Sequence, residues 1–299
     1  MAVAIADMTD KIEQRPRARV DLARLTALVA LLAPAVALLG IGLVWPFLKM
    51  LAISFQDRFP DPTALTFANY ATALTDPYFL RITLRTFSLA LVVTLITAVL
   101  SYPVAWFLAR SNSRWKHLVF LAVISPLMVS IIVRTIGWTI ILGNEGMINA
   151  LLVGLGIVTE PLRLMQSFWS VVVGMVHILI PFMVLSIATV LGKIDPGYAE
   201  AAAVLGASPV RNFLKITLPL SVQGIASGSV IVFCLTVGAY VTPVMLGRGQ
   251  VAVLAVTIHE QMVVLVDWPT GAAVATVLTG GTLIVLLLYG LFLRRHSRR

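Results

Sequence analysis

The chain has 299 residues, 59% of them hydrophobic and 12% charged, with a mean hydropathy of +0.98 and a formal charge of +9. Soluble domains are about half apolar and a quarter charged, so this composition excludes an ordinary soluble globule. Nucleic acid is not an expected partner either, because the cations flank apolar runs and form no basic face with interleaved aromatics.

In chain order, Arg15, Arg17, Arg19 and Arg24 precede an apolar run that continues to about Phe55. That run outlasts the apolar core of a signal peptide and predicts a retained anchor. A helix needs about 20 apolar residues to cross the hydrocarbon. Six stretches qualify: 25–53, 84–109, 118–142, 168–192, 219–246 and 270–293. The expectation is an all-α integral membrane protein with a transmembrane domain over 25–293. A cytoplasmic arm (1–24) and a basic cytoplasmic tail (294–299) flank it. The lone Cys234 falls inside an apolar run and has no partner in the chain for a disulfide, so the redox compartment is not readable.

Fifteen of the 22 lysines and arginines lie in the arm, the second loop, the fourth loop and the tail, all on one side of a six-span chain. The positive-inside rule then places both termini in the cytoplasm. The fourth loop, 193–219, is long for a connection between spans. Asp195 and Pro196 fit the cap and first turn of a short helix through Leu205. Gly206 fits its stop, and Ser208-Pro209 the start of a second helix toward Thr217. Glu200 and Arg211 flank the turn at a spacing that allows them to pair across it. On periodicity alone, a helical hairpin covering the span ends explains the loop equally well.

Glu200-Ala201-Ala202, three residues, Gly206, nine residues, then Ile216-x-Leu218-Pro219 resembles the EAA loop of binding-protein-dependent ABC importer permeases. The segments 69–110, 131–156 and 267–273 resemble the spermidine/putrescine branch of that family, although branches for opines, phosphonates and ferric iron share much of the pattern. The resemblance implies the type I permease architecture. It makes Glu200, Ala201, Ala202, Gly206, Ile216, Leu218 and Pro219 a coupling helix seated in a cytoplasmic ATPase. It also implies an ABC ATPase dimer, a second permease subunit and an extracytoplasmic substrate-binding protein as partners, in the inner membrane of a bacterium.

The chain contains no Walker-type phosphate loop, no His-Glu-x-x-His and no Gly-x-Ser-x-Gly. ATP hydrolysis is therefore expected on a separate subunit, and no catalytic residue, metal or cofactor is expected here. Polar groups at membrane depth are costly and so informative. Arg134 lies about 24 Å into the third span at 1.5 Å per residue. It either snorkels to the outer headgroups or faces an internal aqueous path with Thr135 and Trp138. His177, four residues before Pro181, is either bonded to a neighbouring helix or part of a pathway. Tyr240, beside Gly238 and Pro243, is an interfacial anchor or an outer constriction. His259, Glu260 and Asp267 are solvated loop residues or the lining of the outer mouth. An ion-coupled secondary transporter is the alternative class, but such folds often bury carboxylates, and none of the six span interiors contains Asp or Glu.

Overall fold

The computed structural model describes residues 22–297; the arm through residue 21 and the last two arginines lie outside the described residues. The described residues fall into two compact units, divided between Ala52 and Ile53. In the first, α1 (Leu22–Leu39) and α2 (Trp45–Ile53) are joined by a π turn over Gly40–Val44. The apolar helix Val29–Ile53 is long enough to cross a membrane. Lys49 Nζ lies 5.0 Å from the centre of the Trp45 ring, one helical turn back.

The second unit is all helical apart from one isolated bridge, Gln56 to Leu65. A short helix, α3 (Ala68–Thr75), leads into α4 (Pro77–Arg110). Asp76 caps α4 by accepting the Tyr78 N–H at 2.7 Å, and Pro77 supplies the preset φ of a first turn. After α4 come α5 (Lys116–Ile124), a 3₁₀ turn over Ser125–Met128, and α6 (Ile131–Ile141). Then follow α7 (Met147–Gly154) and α8 (Phe168–Leu191). Next are α9 (Gly197–Val204), α10 (Pro209–Asn212), a π turn over Phe213–Thr217, and α11 (Leu218–Val237). The chain closes with α12 (Val241–Gly247), α13 (Leu254–His259), a π turn over Glu260–Val264, and α14 (Trp268–Ser297).

The central helix is α8: 61% of its most apolar window lies inside, against 22% for α14. Helices α4 and α11 pack on it and on each other. Close approach is possible because α11 presents Gly224 and Gly228 toward α8. A Cβ at Gly224 would lie 3.0 Å from Ile187 Cα and the Ser186 carbonyl oxygen. Two glycines four apart let helix backbones meet where lipid offers no hydrophobic drive. Tyr102 and Ser221 join α4 to α11 through their hydroxyls at 2.9 Å. Span hydroxyls such as Thr86, Thr94 and Thr236 donate to the carbonyl four residues back, so no polar hydrogen faces lipid unpaired there.

Two of the expected spans differ in shape. The third, read as 118–142, is broken: Lys116–Met128 and Ile131–Ile141 meet at 101°. Pro126 lacks an N–H, and Val129 is extended, which ends the first half; the Ser130 hydroxyl then caps the second by accepting the Ile132 N–H. The pair still runs from one end of the unit to the other. Lys116 and His117 share a groove with Leu108 of α4 and Thr189 of α8, near the C-terminal ends of both helices. Past Ile141 the chain meets Gln166, just before the N-terminus of α8. The bent pair therefore acts as one crossing, which makes six with α1–α2, α4, α8, α11 and α14. The fifth, read as 219–246, ends at Val237, and Gly238–Tyr240 separates it from α12.

Candidate functional site

The loop at 193–219 folds as a turn between two helical arms. Asp195 Oδ1 accepts the Gly197 N–H at 2.9 Å and starts α9, with Pro196 just ahead of it. The helix stops at Leu205, and Gly206 takes φ +81°, a left-handed conformation that favours glycine. Gly206 N–H donates to the Ala203 carbonyl and Ala207 N–H to the Ala202 carbonyl, each at 3.0 Å, closing the orphan carbonyls of the helix end. Ser208 then caps the second arm by accepting the Arg211 N–H at 3.3 Å.

That second arm is not a separate short helix. Pro209–Val237 is continuous through the π turn at Phe213–Thr217, so the turn is attached directly to the fifth crossing. Thr217 and Leu218 keep helical φ/ψ, so the π turn passes into α11 without a break, and Pro219, which has no N–H to donate, sits just after that turn. Glu200 and Arg211 do not pair across the turn. The link is Asn212 Nδ2, which donates to the Ala199 carbonyl at 3.2 Å. Glu200 and Ala201 are exposed and Ala202 is buried. Around them Val204 and Leu205 are each 87% exposed, and Tyr198, Val210 and Leu214 are also uncovered. These apolar side chains leave the outer surface of the turn uncovered.

At mid-depth, Trp138 Nε1 of α6 donates to His177 Nδ1 of α8 at 3.2 Å, with the rings edge to face. The imidazole thus accepts at Nδ1, so its proton sits on Nε2 in the neutral form. His177 also lines a groove of about 320 Å³ inside the bend of the third crossing, with Val104, Val119, Pro126 and Pro181. Arg134 Nε and Nη1 are buried and have no hydrogen-bond acceptor among the described residues. Thr135 faces Thr242 of α12 at 3.5 Å.

The structure brings Tyr240 and His259 together, ring centres 4.9 Å apart. Tyr240 stands in the break between α11 and α12 and not within a span, because Gly238 ends α11. Glu260 and Asp267 are exposed, on the chain that joins α13 to α14. Asp267 accepts the Thr270 N–H at 3.1 Å and serves as a cap for α14. The six candidates thus fall into Arg134 and His177 on the spans, a Tyr240–His259 pair and two exposed carboxylates. Sequence reasoning missed Asn149, 1% exposed, whose side chain ties Gly143 to Leu162. The signal was one amide in the apolar helix α7.

In the second unit the long helices α4 and α11 pack on α8, and an exposed helical turn leads into α11, an arrangement expected of an inner-membrane transport component. Residues 101–298 match the family of binding-protein-dependent transport system inner membrane components, and the chain belongs to that family. It is the permease component of an ABC importer, a transport subunit and not an enzyme. It is 34% identical over 248 residues to the spermidine/putrescine transport system permease protein PotB of Escherichia coli (strain K12), covering 82% of this chain and 90% of that one. PotB of Haemophilus influenzae is 30% identical over 251 residues, covering 82% and 85%. A bacterial ABC transporter involved in the import of the acidic polysaccharide alginate is similar in fold, with TM-score 0.76 and 19% identity, covering 92% and 97%.

Proposed function

We propose that this chain forms part of an inward pathway for polyamines or related small organic cations across a bacterial inner membrane, with both termini in the cytoplasm. The cargo reading is carried by the PotB relatives, which this chain matches over most of their length. The coupling reading rests on the exposed turn at Glu200–Gly206, continuous with the fifth crossing. In this reading the chain pairs with a second permease subunit, binds an ATPase dimer through that turn and receives cargo from an extracytoplasmic binding protein. Closure of the ATPase dimer on ATP pulls the turn, and α11 transmits the movement because the turn's second arm, from Pro209, is continuous with it. The spans then exchange an inward-facing for an outward-facing arrangement, and hydrolysis resets them.

A polyamine carries several ammonium groups whose desolvation must be offset. The spans offer no carboxylate, so selectivity belongs mainly to the binding protein, with a low-affinity path through this subunit. Glu260 and Asp267 collect the cation at the mouth, and Tyr240 against His259 shapes the opening. Family membership leaves the ion-coupled transporter without support. The test is uptake of labelled spermidine and putrescine by the assembled importer, with the binding protein's own ligand identified alongside. Cationic cargo is expected, and Glu260→Gln should slow its uptake, more so at low salt. An anion or a neutral sugar in the binding protein overturns the polyamine assignment.

A further inference from the structure

The end of the fold opposite the coupling turn carries a polar cleft of about 560 Å³, lined by Thr139, Asn144, Glu145, Arg163, Gln166 and Arg248. Three segments far apart in sequence build it, and each is fixed in place. Asn149 Nδ2 donates to the carbonyls of Gly143 at 3.0 Å and Leu162 at 2.9 Å, and Asn149 Oδ1 accepts the Leu162 N–H at 2.9 Å. Gly146 admits no side chain, since a Cβ there would lie 2.4 Å from the Ile141 carbonyl oxygen. The Gln166 N–H donates to the Leu246 carbonyl at 2.9 Å. Gln166 and Arg248 both sit in the left-handed region, at φ 60° and 42°. Non-glycine residues stay there only where their surroundings over-determine the backbone, and such positions cluster at clamps and binding sites.

The cleft is therefore preformed, and its charge is unbalanced. Arg163, Arg248 and Glu145 are exposed, and none forms an ion pair with another described residue. Two guanidinium groups against one carboxylate repel an ammonium cargo and attract carboxylates, which guanidinium can hold through two parallel hydrogen bonds. We propose that this cleft receives an acidic loop of the extracytoplasmic substrate-binding protein, with Arg163 and Arg248 each taking a carboxylate. This rests on the importer reading given above and adds to it where the binding protein seats.

The test uses the complete importer in lipid nanodiscs and its own purified binding protein, and reads the binding-protein concentration that half-maximally stimulates ATP hydrolysis. Arg163→Glu with Arg248→Glu is expected to raise that concentration about tenfold or more, with the larger shift at low ionic strength. Arg81→Glu, an outer cation beyond the cleft, controls for general charge and is expected to shift it less than twofold, as surface charges do. If the double reversal does not assemble, Arg163→Gln alone is expected to shift it about threefold. A shift below twofold in the cleft variants overturns the proposal, and so does an equal shift in Arg81→Glu. So does a response to anionic lipid content in place of binding protein, which makes a headgroup the occupant. A wild-type complex that its binding protein does not stimulate overturns both this proposal and the importer reading. A stimulated wild type with unshifted variants overturns the docking site alone.

Discussion

Single residues decide how the buried polar groups are kept. His177 lies deep in the unit, and the indole of Trp138 provides its Nδ1 with a donor from the neighbouring helix. Interhelical bonds of this kind contribute about 0.6 kcal/mol on average within a membrane, and up to about 1.7. Trp138→Phe keeps an aromatic ring but removes the donor together with the pyrrole half of the indole. It should therefore lower the thermal stability of the purified subunit by about 1 kcal/mol while leaving cargo selectivity unchanged. A change in selectivity with unchanged stability would place His177 on the pathway and not in the packing. The position of His177 at mid-span was legible in the sequence. Its partner was not, because Trp138 is 39 residues away and the pairing depends on where the third crossing bends. Arg134 shows the same limit: its depth follows from counting residues, but two of its nitrogens lacking an acceptor is a fact of packing.

At the level of the helices, hydropathy located every crossing, because the cost of exposing a polar backbone to lipid leaves few alternatives. What it could not give was shape. The run from Lys116 to Ile141 stays apolar on average on both sides of the bend, despite Arg134, so nothing in its hydropathy marks the 101° angle. Pro126 is visible in the sequence, yet a proline alone fixes neither the angle nor the restart at Ser130. The fifth run hides the opposite feature, since Gly206 and Ser208 signal a turn while the π turn at Phe213–Thr217 joins loop to span without a sequence signature. The α8–α11 contact is the element on which the rest is assembled. Gly224→Leu places a side chain where α8 backbone atoms stand 3.0 Å away and cannot yield. Overpacking of this kind costs about 1–3 kcal/mol, so the variant should reach the membrane but melt lower and yield less assembled complex. Wild-type yield and melting temperature for Gly224→Leu would mean that α8 and α11 do not touch in the working protein.

Across the second unit, α8 and α11 run between the turn at one end and the cleft at the other. The charge pattern that suggested the sidedness is carried partly by residues outside the described structure, so topology needs its own test. Reporter fusions at Arg114, at Arg211 and at the tail should read cytoplasmic, and those at Asp61, Glu160 and Gln250 external. One reversed reporter in a stable fusion would break the six-crossing arrangement. The cleft escaped sequence reading because Glu145, Arg163 and Arg248 look like scattered outer-loop charges until the fold gathers them.

The central claim is that the Gly206 turn transmits ATPase movement into the spans, and it is tested most directly by ATP-driven uptake with the wild-type and Gly206→Leu importers side by side. Leucine at φ +81° is strained, as left-handed backbone disfavours side chains of L-residues. The account predicts a Gly206→Leu subunit that inserts and pairs with its permease partner, loses the ATPase on purification and takes up no cargo. Full uptake with normal ATPase retention would contradict it and leave the turn as a cover over the span ends.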